Sequence, residues 1–259
     1  MIFTSTVTVD GTNIVYDVAG EGPAIMLLHG GGGGQTRKSW HEAGYVSRLQ
    51  NEFKLIAMDI RGHGESDKPT AKEAYTIDKM CKDVLAVADA CEIETFALWG
   101  FSYGGNIGRY LAANSNRVEK IIVIGIPFGQ AASGEFRQFI NEFRAHWEPI
   151  LQANKGGVPN LTMLSEEDRE IWQVMDVPVT LAWLTAMLDW EINEPQDLLC
   201  PALWLSGSGN ESTVASIKKY RETAVQSSVQ IEIVPGLTHI QEFEEIDRVF
   251  PIMLEFVKS

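Results

Sequence analysis

The feature that most constrains this chain is a set of short apolar runs that are nearly continuous. They fall at Ala24–Leu28, Lys54–Met58, Thr95–Trp99, Lys120–Ile124 and Ala202–Leu205. Strands exposed on one face alternate apolar with polar residues, whereas strands covered on both faces read as unbroken runs. Amphipathic stretches of helical length separate most of them, at Ile77–Ala90, Tyr103–Ala113 and Thr213–Val225. Buried strands alternating with helices predict an α/β fold with a mostly parallel, doubly wound sheet. Two alternating segments come first, Phe3–Val9 and Thr12–Val18, split by Asp10-Gly11, a strong hairpin signal. A further strand at Gln230–Val234 brings the sheet to about eight strands. A last helix is expected from about Glu244, with Pro251 kinking it or marking its true start.

The alternation breaks between Phe128 and Pro195. Three helical patterns and no convincing strand fill this stretch, at Glu135–Gln152, Glu166–Met175 and Val179–Trp190. The expected organisation is a core of residues 1–127 and 196–259 with a helical cap, or lid, at 128–195. The cap holds four of the seven tryptophans, Trp147, Trp172, Trp183 and Trp190. Together with Met187 they are candidates for lining an apolar substrate pocket. The competing reading is lid packing at helical spacing, as for Trp183 and Met187 at i and i+4.

A chain of 259 residues with 45% apolar and 22% charged residues is ordinary for a globular protein. Its 21 basic against 35 acidic residues, a net charge of −14, make nucleic acid and anionic membrane poor partners. No apolar run approaches the roughly 18 residues needed to span a bilayer, and the N-terminus lacks a basic start followed by an apolar segment. Cys81, Cys91 and Cys200 have neither disulfide-framework nor metal-ligand spacing. These features lead us to expect a reduced cytoplasmic protein that needs no metal and no cofactor.

The chemistry-bearing segment is Gly100-Phe101-Ser102-Tyr103-Gly104-Gly105, placed between a buried strand and a helix. That is the context of a Gly-x-Ser-x-Gly nucleophile elbow, in which a serine on a strained turn is exposed above the sheet at a helix N-terminus. Three further segments join it: Leu27–Gln35 with its glycines Gly30–Gly34, Met58–Pro69 (MDIRGHGESDKP), and Gly236–His239. In this order and at these strand ends, the four resemble the α/β-hydrolase fold superfamily, specifically capped serine hydrolases. Esterases and hydrolases of carbon–carbon bonds in ring-cleavage products are its similar members.

The resemblance implies Ser102 as nucleophile and His239 as base. It implies an oxyanion hole from the N–H of Tyr103 with that of Gly31, Gly30 or Gly32. The triad-acid position after the Ala202 strand reads Gly207-Ser208-Gly209-Asn210-Glu211, so an asparagine stands where the acid is expected. Two candidates follow: Asn210 itself, uncharged, or Glu211 one residue on. The activity implied is hydrolysis of an ester or related acyl bond of a small apolar substrate through an acyl-enzyme. The alternatives are a low-turnover ligand-binding protein, which Asn210 favours, and a carbon–carbon bond hydrolase.

Overall fold

The computed structural model describes residues 2–32, 34–154 and 158–259. Gly33 of the glycine run and residues 155–157 of the insert lie outside the described residues. The strands are β1 (Ile2–Val9), β2 (Thr12–Ala19), β3 (Ala24–Leu28), β4 (Lys54–Met58), β5 (Phe96–Phe101), β6 (Val118–Ile124), β7 (Ala202–Gly207) and β8 (Val229–Val234). The α-helices are α1 (Arg37–Glu42), α2 (Tyr45–Leu49), α3 (Ile77–Ala90), α4 (Tyr103–Asn114), α5 (Gly134–Ala153), α6 (Glu166–Val174), α7 (Val177–Met187), α8 (Glu211–Gln226), α9 (Gln241–Glu244) and α10 (Ile246–Lys258).

One eight-stranded sheet runs in the order β1-β2-β4-β3-β5-β6-β7-β8. The pairs β1/β2 and β2/β4 are antiparallel, and the rest are parallel. At the first hairpin Asp10 and Gly11 both take positive φ, 50° and 78°, the conformation a two-residue turn needs. Successive residues of each central strand enter different cores. Met26, Leu28, Leu98, Ile121 and Val123 pack with α3, α4 and α8. Ile25, Leu27, Ala97, Ile122 and Ile124 pack with α2 and α10. Burial on both faces is why these strands carry no alternating polar residue.

Two sequence expectations shift. Strand β5 continues two residues past Trp99, so that Ser102 follows it directly. The C-terminal helix starts at Ile246, after a break at Glu245 that separates it from α9, and Pro251 lies inside it rather than at its start.

Between β6 and β7 the chain forms α5, α6 and α7. An isolated bridge from Gly129 to Asn193 joins the two ends of this excursion. Strands β3 and β5 are neighbours in space while the chain proceeds from β3 outward to β4, which makes their C-terminal ends the switch point of the sheet. Open α/β sheets place ligands at such a point.

The turn after β4 is fixed by buried ions. Arg61 makes two bonds to Asp83 of α3, Nε to Oδ2 at 2.8 Å and Nη2 to Oδ1 at 2.7 Å, with both residues almost fully buried. Removing one partner of such a pair strands the other charge, at a cost of about 3–5 kcal/mol. Asp83→Ala is therefore expected to lose about that much stability in urea unfolding. Arg61→Leu combined with Asp83→Ala should lose less than Asp83→Ala alone.

Candidate active site

Ser102 sits between the end of β5 and the start of α4, with φ 50° and ψ −110°. A non-glycine residue there costs about 1–3 kcal/mol and persists only when its surroundings impose it. They do so through close packing: a Cβ on Gly104 would lie 2.3 Å from the Leu28 carbonyl oxygen. Gly104 N–H donates to the His29 carbonyl at 3.0 Å, tying the elbow to the loop after β3.

The loop after β8 carries His239 to the serine. His239 Nε2 lies 3.0 Å from Ser102 Oγ. His239 Nδ1 lies 3.0 Å from Oε2 of Glu242, and the Phe101 ring stacks on the imidazole at 5.0 Å. Glu242 is fully buried. Its Oε1 accepts from Ser206 Oγ at 2.9 Å, Gly207 N–H at 2.6 Å and Asn210 Nδ2 at 3.0 Å. A carboxylate can only accept, so the shared imidazole proton sits on Nδ1, and Nε2 is free to accept from the serine hydroxyl.

The carboxylate facing His239 is thus Glu242 and not Glu211, while Asn210 stands beside it with Nδ2 3.3 Å from the same His239 Nδ1. Asn210 is half-buried, and its Nδ2 donates to Glu242 and, at 3.1 Å, to the Gly125 carbonyl. Its Oδ1 caps α8 through Thr213 N–H. Turning the amide over would set its oxygen against two acceptors, so the nitrogen must face the site. Glu211 begins α8 with its side chain exposed. Sequence order places the acid on the loop after β7, at residues 210 and 211, and so does not single out Glu242. The available signal was spacing: Glu242 follows His239 by three residues, which one helical turn brings onto the same face. Gly125 opens the room, since a Cβ there would lie 2.2 Å from Glu242 Oε2.

Above Ser102 is a cavity of about 430 Å³. Gly31 and Tyr103 line it beside the serine. Tyr103 opens α4, so its N–H has no intrahelical acceptor and is free for an oxyanion. Gly30 is buried one residue back, and its carbonyl lies 2.6 Å from His29 Nδ1. His29 Nε2 accepts from Ile60 N–H at 3.0 Å, and burial pushes the ring down to about 3, so it stays neutral and shapes the loop. Burial also lowers His63, which packs against Tyr103 and Trp183.

Of the cap residues, Trp183 and Met187 line the cavity, joined by Phe136. The other three tryptophans do not. Trp147 of α5 and Trp172 of α6 pack on each other at 5.8 Å instead. Trp190 stacks behind Tyr103 at 5.6 Å and donates Nε1–H to the Tyr75 carbonyl. Polar groups at the cavity wall are Asn106, Ser133, Glu135, Ser212 and Thr213.

The three cysteines are free. Burial pushes Cys81 up to about 12 and Cys200 up to about 11, which removes their nucleophilic form at neutral pH. Among the described residues no group of three or more His, Cys, Asp or Glu could hold a metal ion. Among the same residues, no helix is long and apolar enough to cross a membrane.

Several known proteins share this architecture. A solved structure reported under novel epoxide hydrolases from hot-environment metagenomes superposes with a TM-score of 0.75 at 20% identity, covering 99% of each chain. The enol-lactonase of Burkholderia xenovorans superposes with a TM-score of 0.74 at 22% identity, over 98% of this chain and all of that one. An uncharacterized protein of Mycobacterium tuberculosis is 33% identical over 118 residues, 45% of this chain and 33% of that protein. Epoxide hydrolase 4 of Mus musculus is 31% identical over 121 residues, 45% of this chain and 32% of that protein. The chain thus spans about a third of the length of these two relatives. A putative 2-succinyl-6-hydroxy-2,4-cyclohexadiene-1-carboxylate synthase of Bacillus subtilis is 24% identical over 94% of this chain and 95% of its own. The family model described as the alpha/beta hydrolase fold matches residues 23–167, more than half of the sequence, and the chain accordingly belongs to that family.

Proposed function

We propose that this protein is a serine hydrolase that cleaves an ester or related acyl bond of a small, uncharged, largely apolar molecule. The observation that carries the reading is the 3.0 Å approach of His239 Nε2 to Ser102 Oγ at the strained apex between β5 and α4. Ser102 Oγ attacks the acyl carbon while its proton passes to His239 Nε2. Glu242, facing Nδ1, stabilises the imidazolium that forms. The Tyr103 and Gly31 N–H groups receive the oxyanion. Collapse expels the alcohol, which takes the proton from Nε2. Water then attacks the acyl-enzyme with His239 as base, releasing the acid and restoring Ser102.

The cavity supports the substrate class. Its volume suits a small molecule, Trp183, Met187, Ile126 and Phe136 give it apolar walls, and Glu135 disfavours an anion. An epoxide fits less well. Attack by a serine oxygen on an epoxide carbon would leave an ether, which offers water no carbonyl to attack. A purely ligand-binding role loses its main support, because Glu242 supplies the carboxylate that Asn210 lacks.

The test is turnover of a panel of p-nitrophenyl esters of increasing acyl length beside the Ser102→Ala protein. Hydrolysis that is equal in both would refute the proposal. Trp183→Ala, which removes an indole from the cavity wall, is expected to raise kcat/KM for long-chain over short-chain esters by about tenfold, the scale of a few methylenes gained or lost in an apolar pocket. An unchanged chain-length preference would place the acyl group elsewhere.

A further inference from the structure

Two side chains reach the same imidazole nitrogen. Glu242 Oε2 lies 3.0 Å from His239 Nδ1, and Asn210 Nδ2 lies 3.3 Å from it. They also touch each other, with Nδ2 at 3.0 and 3.2 Å from the two carboxylate oxygens. One is a carboxylate at the start of the C-terminal region, the other an amide on the loop after β7. We infer that Asn210 is a positioning residue for Glu242, and that the two form an exchangeable carboxylate–amide pair behind His239. The inference rests on the proposed serine chemistry only for its rate readout.

The hydrogen bonding supports an exchange. With Glu242→Gln, the amide oxygen can remain at the Oε1 site, accepting from Ser206 Oγ and Gly207 N–H. The amide nitrogen then occupies the Oε2 site and faces residue 210. With Asn210→Asp, a carboxylate oxygen takes the place of Nδ2, accepts from that amide, and faces His239 Nδ1. Its other oxygen still caps α8 at Thr213 N–H. The Gly125 carbonyl is the one group that loses, since it accepts from Asn210 Nδ2 at 3.1 Å. That loss sets recovery below the native level.

Each single change breaks the pairing. Glu242→Gln leaves two amides and no anion, so N–H donors face His239 Nδ1 from both side chains, the imidazole proton is driven to Nε2, and the charge is lost. Asn210→Asp leaves two carboxylates within about 3 Å, a distance at which both cannot ionise without mutual cost. The added carboxyl is then raised in the folded protein. Its stability cost is absent at low pH and grows as pH rises above about 4, the unfolded carboxyl value.

The experiment compares the native protein, Asn210→Asp, Glu242→Gln, the double variant and Asn210→Ser. The readouts are the rate of Ser102 labelling by a fluorophosphonate, the low-field proton signal of the His239 Nδ1–H, and urea unfolding against pH. Glu242→Gln is expected to slow labelling by about 10³–10⁴, the scale known for amide replacement of a triad carboxylate. The double variant should recover at least about tenfold of that loss and regain the low-field proton signal. It should also lack the pH-dependent instability of Asn210→Asp. Asn210→Ser keeps a capping oxygen but loses the amide, and should slow labelling about tenfold or more, as for a lost hydrogen bond to a charged group.

A folded double variant no faster than Glu242→Gln and without the proton signal would overturn the exchange. If that variant does not fold, Asn210→Ser decides: native labelling and an unshifted signal would overturn the positioning role. If the native protein is not labelled at all, the serine chemistry fails, while the proton signal and the pH-dependent unfolding still judge the pair.

Discussion

Ser102→Ala is expected to reduce ester turnover by about 10⁶-fold, the scale found when the nucleophile of a serine hydrolase is removed. Among the described residues no other hydroxyl is placed against the His239 imidazole. The cavity wall beside it offers Ser133, Ser212 and Thr213, but His239 Nε2 approaches Ser102 Oγ. A free hydroxyl without a base within reach is a weak nucleophile. A fluorophosphonate should label the native protein once, and peptide mapping should place the adduct on Ser102. The alanine protein should remain unlabelled and still fold, since the change removes only a hydroxyl at a surface facing the cavity. Labelling that survives in Ser102→Ala would remove the serine from the mechanism. The rate left over should still exceed that of ester in water, because the Tyr103 and Gly31 N–H groups remain in place to receive an oxyanion.

His239→Ala should cost about as much as Ser102→Ala, and adding it to Ser102→Ala should cost nothing more. The reason is that the two act as one unit in the proposed mechanism, where the serine attacks only as its proton passes to Nε2. Kinetics on the two single variants and the double measure this directly. Additive losses would mean that the side chains contribute separately and that the 3.0 Å contact carries no proton. Addition of imidazole should restore part of the rate in His239→Ala, because the vacated space opens to the cavity that His239 lines, and should restore none in Ser102→Ala.

Much of the fold was legible in the sequence. Five apolar runs without polar interruption could be satisfied only by a sheet covered on both faces, and the faces fill with α3, α4 and α8 on one side and α2 and α10 on the other. The Asp10-Gly11 turn set its own register, Val9 opposite Thr12. The elbow was legible because strain has a local chemical signature. A serine at φ 50° needs glycines where β5, α4 and β3 approach one another, and those glycines stand beside it in the chain.

Other features depend on partners far apart in sequence. Which tryptophans face the cavity was set by how α5 packs on α7 and by the Trp147–Trp172 contact, and helical spacing alone does not orient one helix against the next. The carboxylate behind His239 is the sharpest case. Position 210 lies on the loop after β7, and sequence order alone pointed there. The tertiary structure instead closes a space among Gly125, Ser206, Gly207, Asn210 and His239, contributed by three separate strand ends, and Glu242 fills it. A buried carboxylate goes where donors converge to replace its lost water, and that convergence exists only once β6, β7 and β8 lie side by side. Local chemistry along the chain determined the sheet and the strained turn that presents Ser102. The three-dimensional meeting of donors decided which carboxylate faces the histidine.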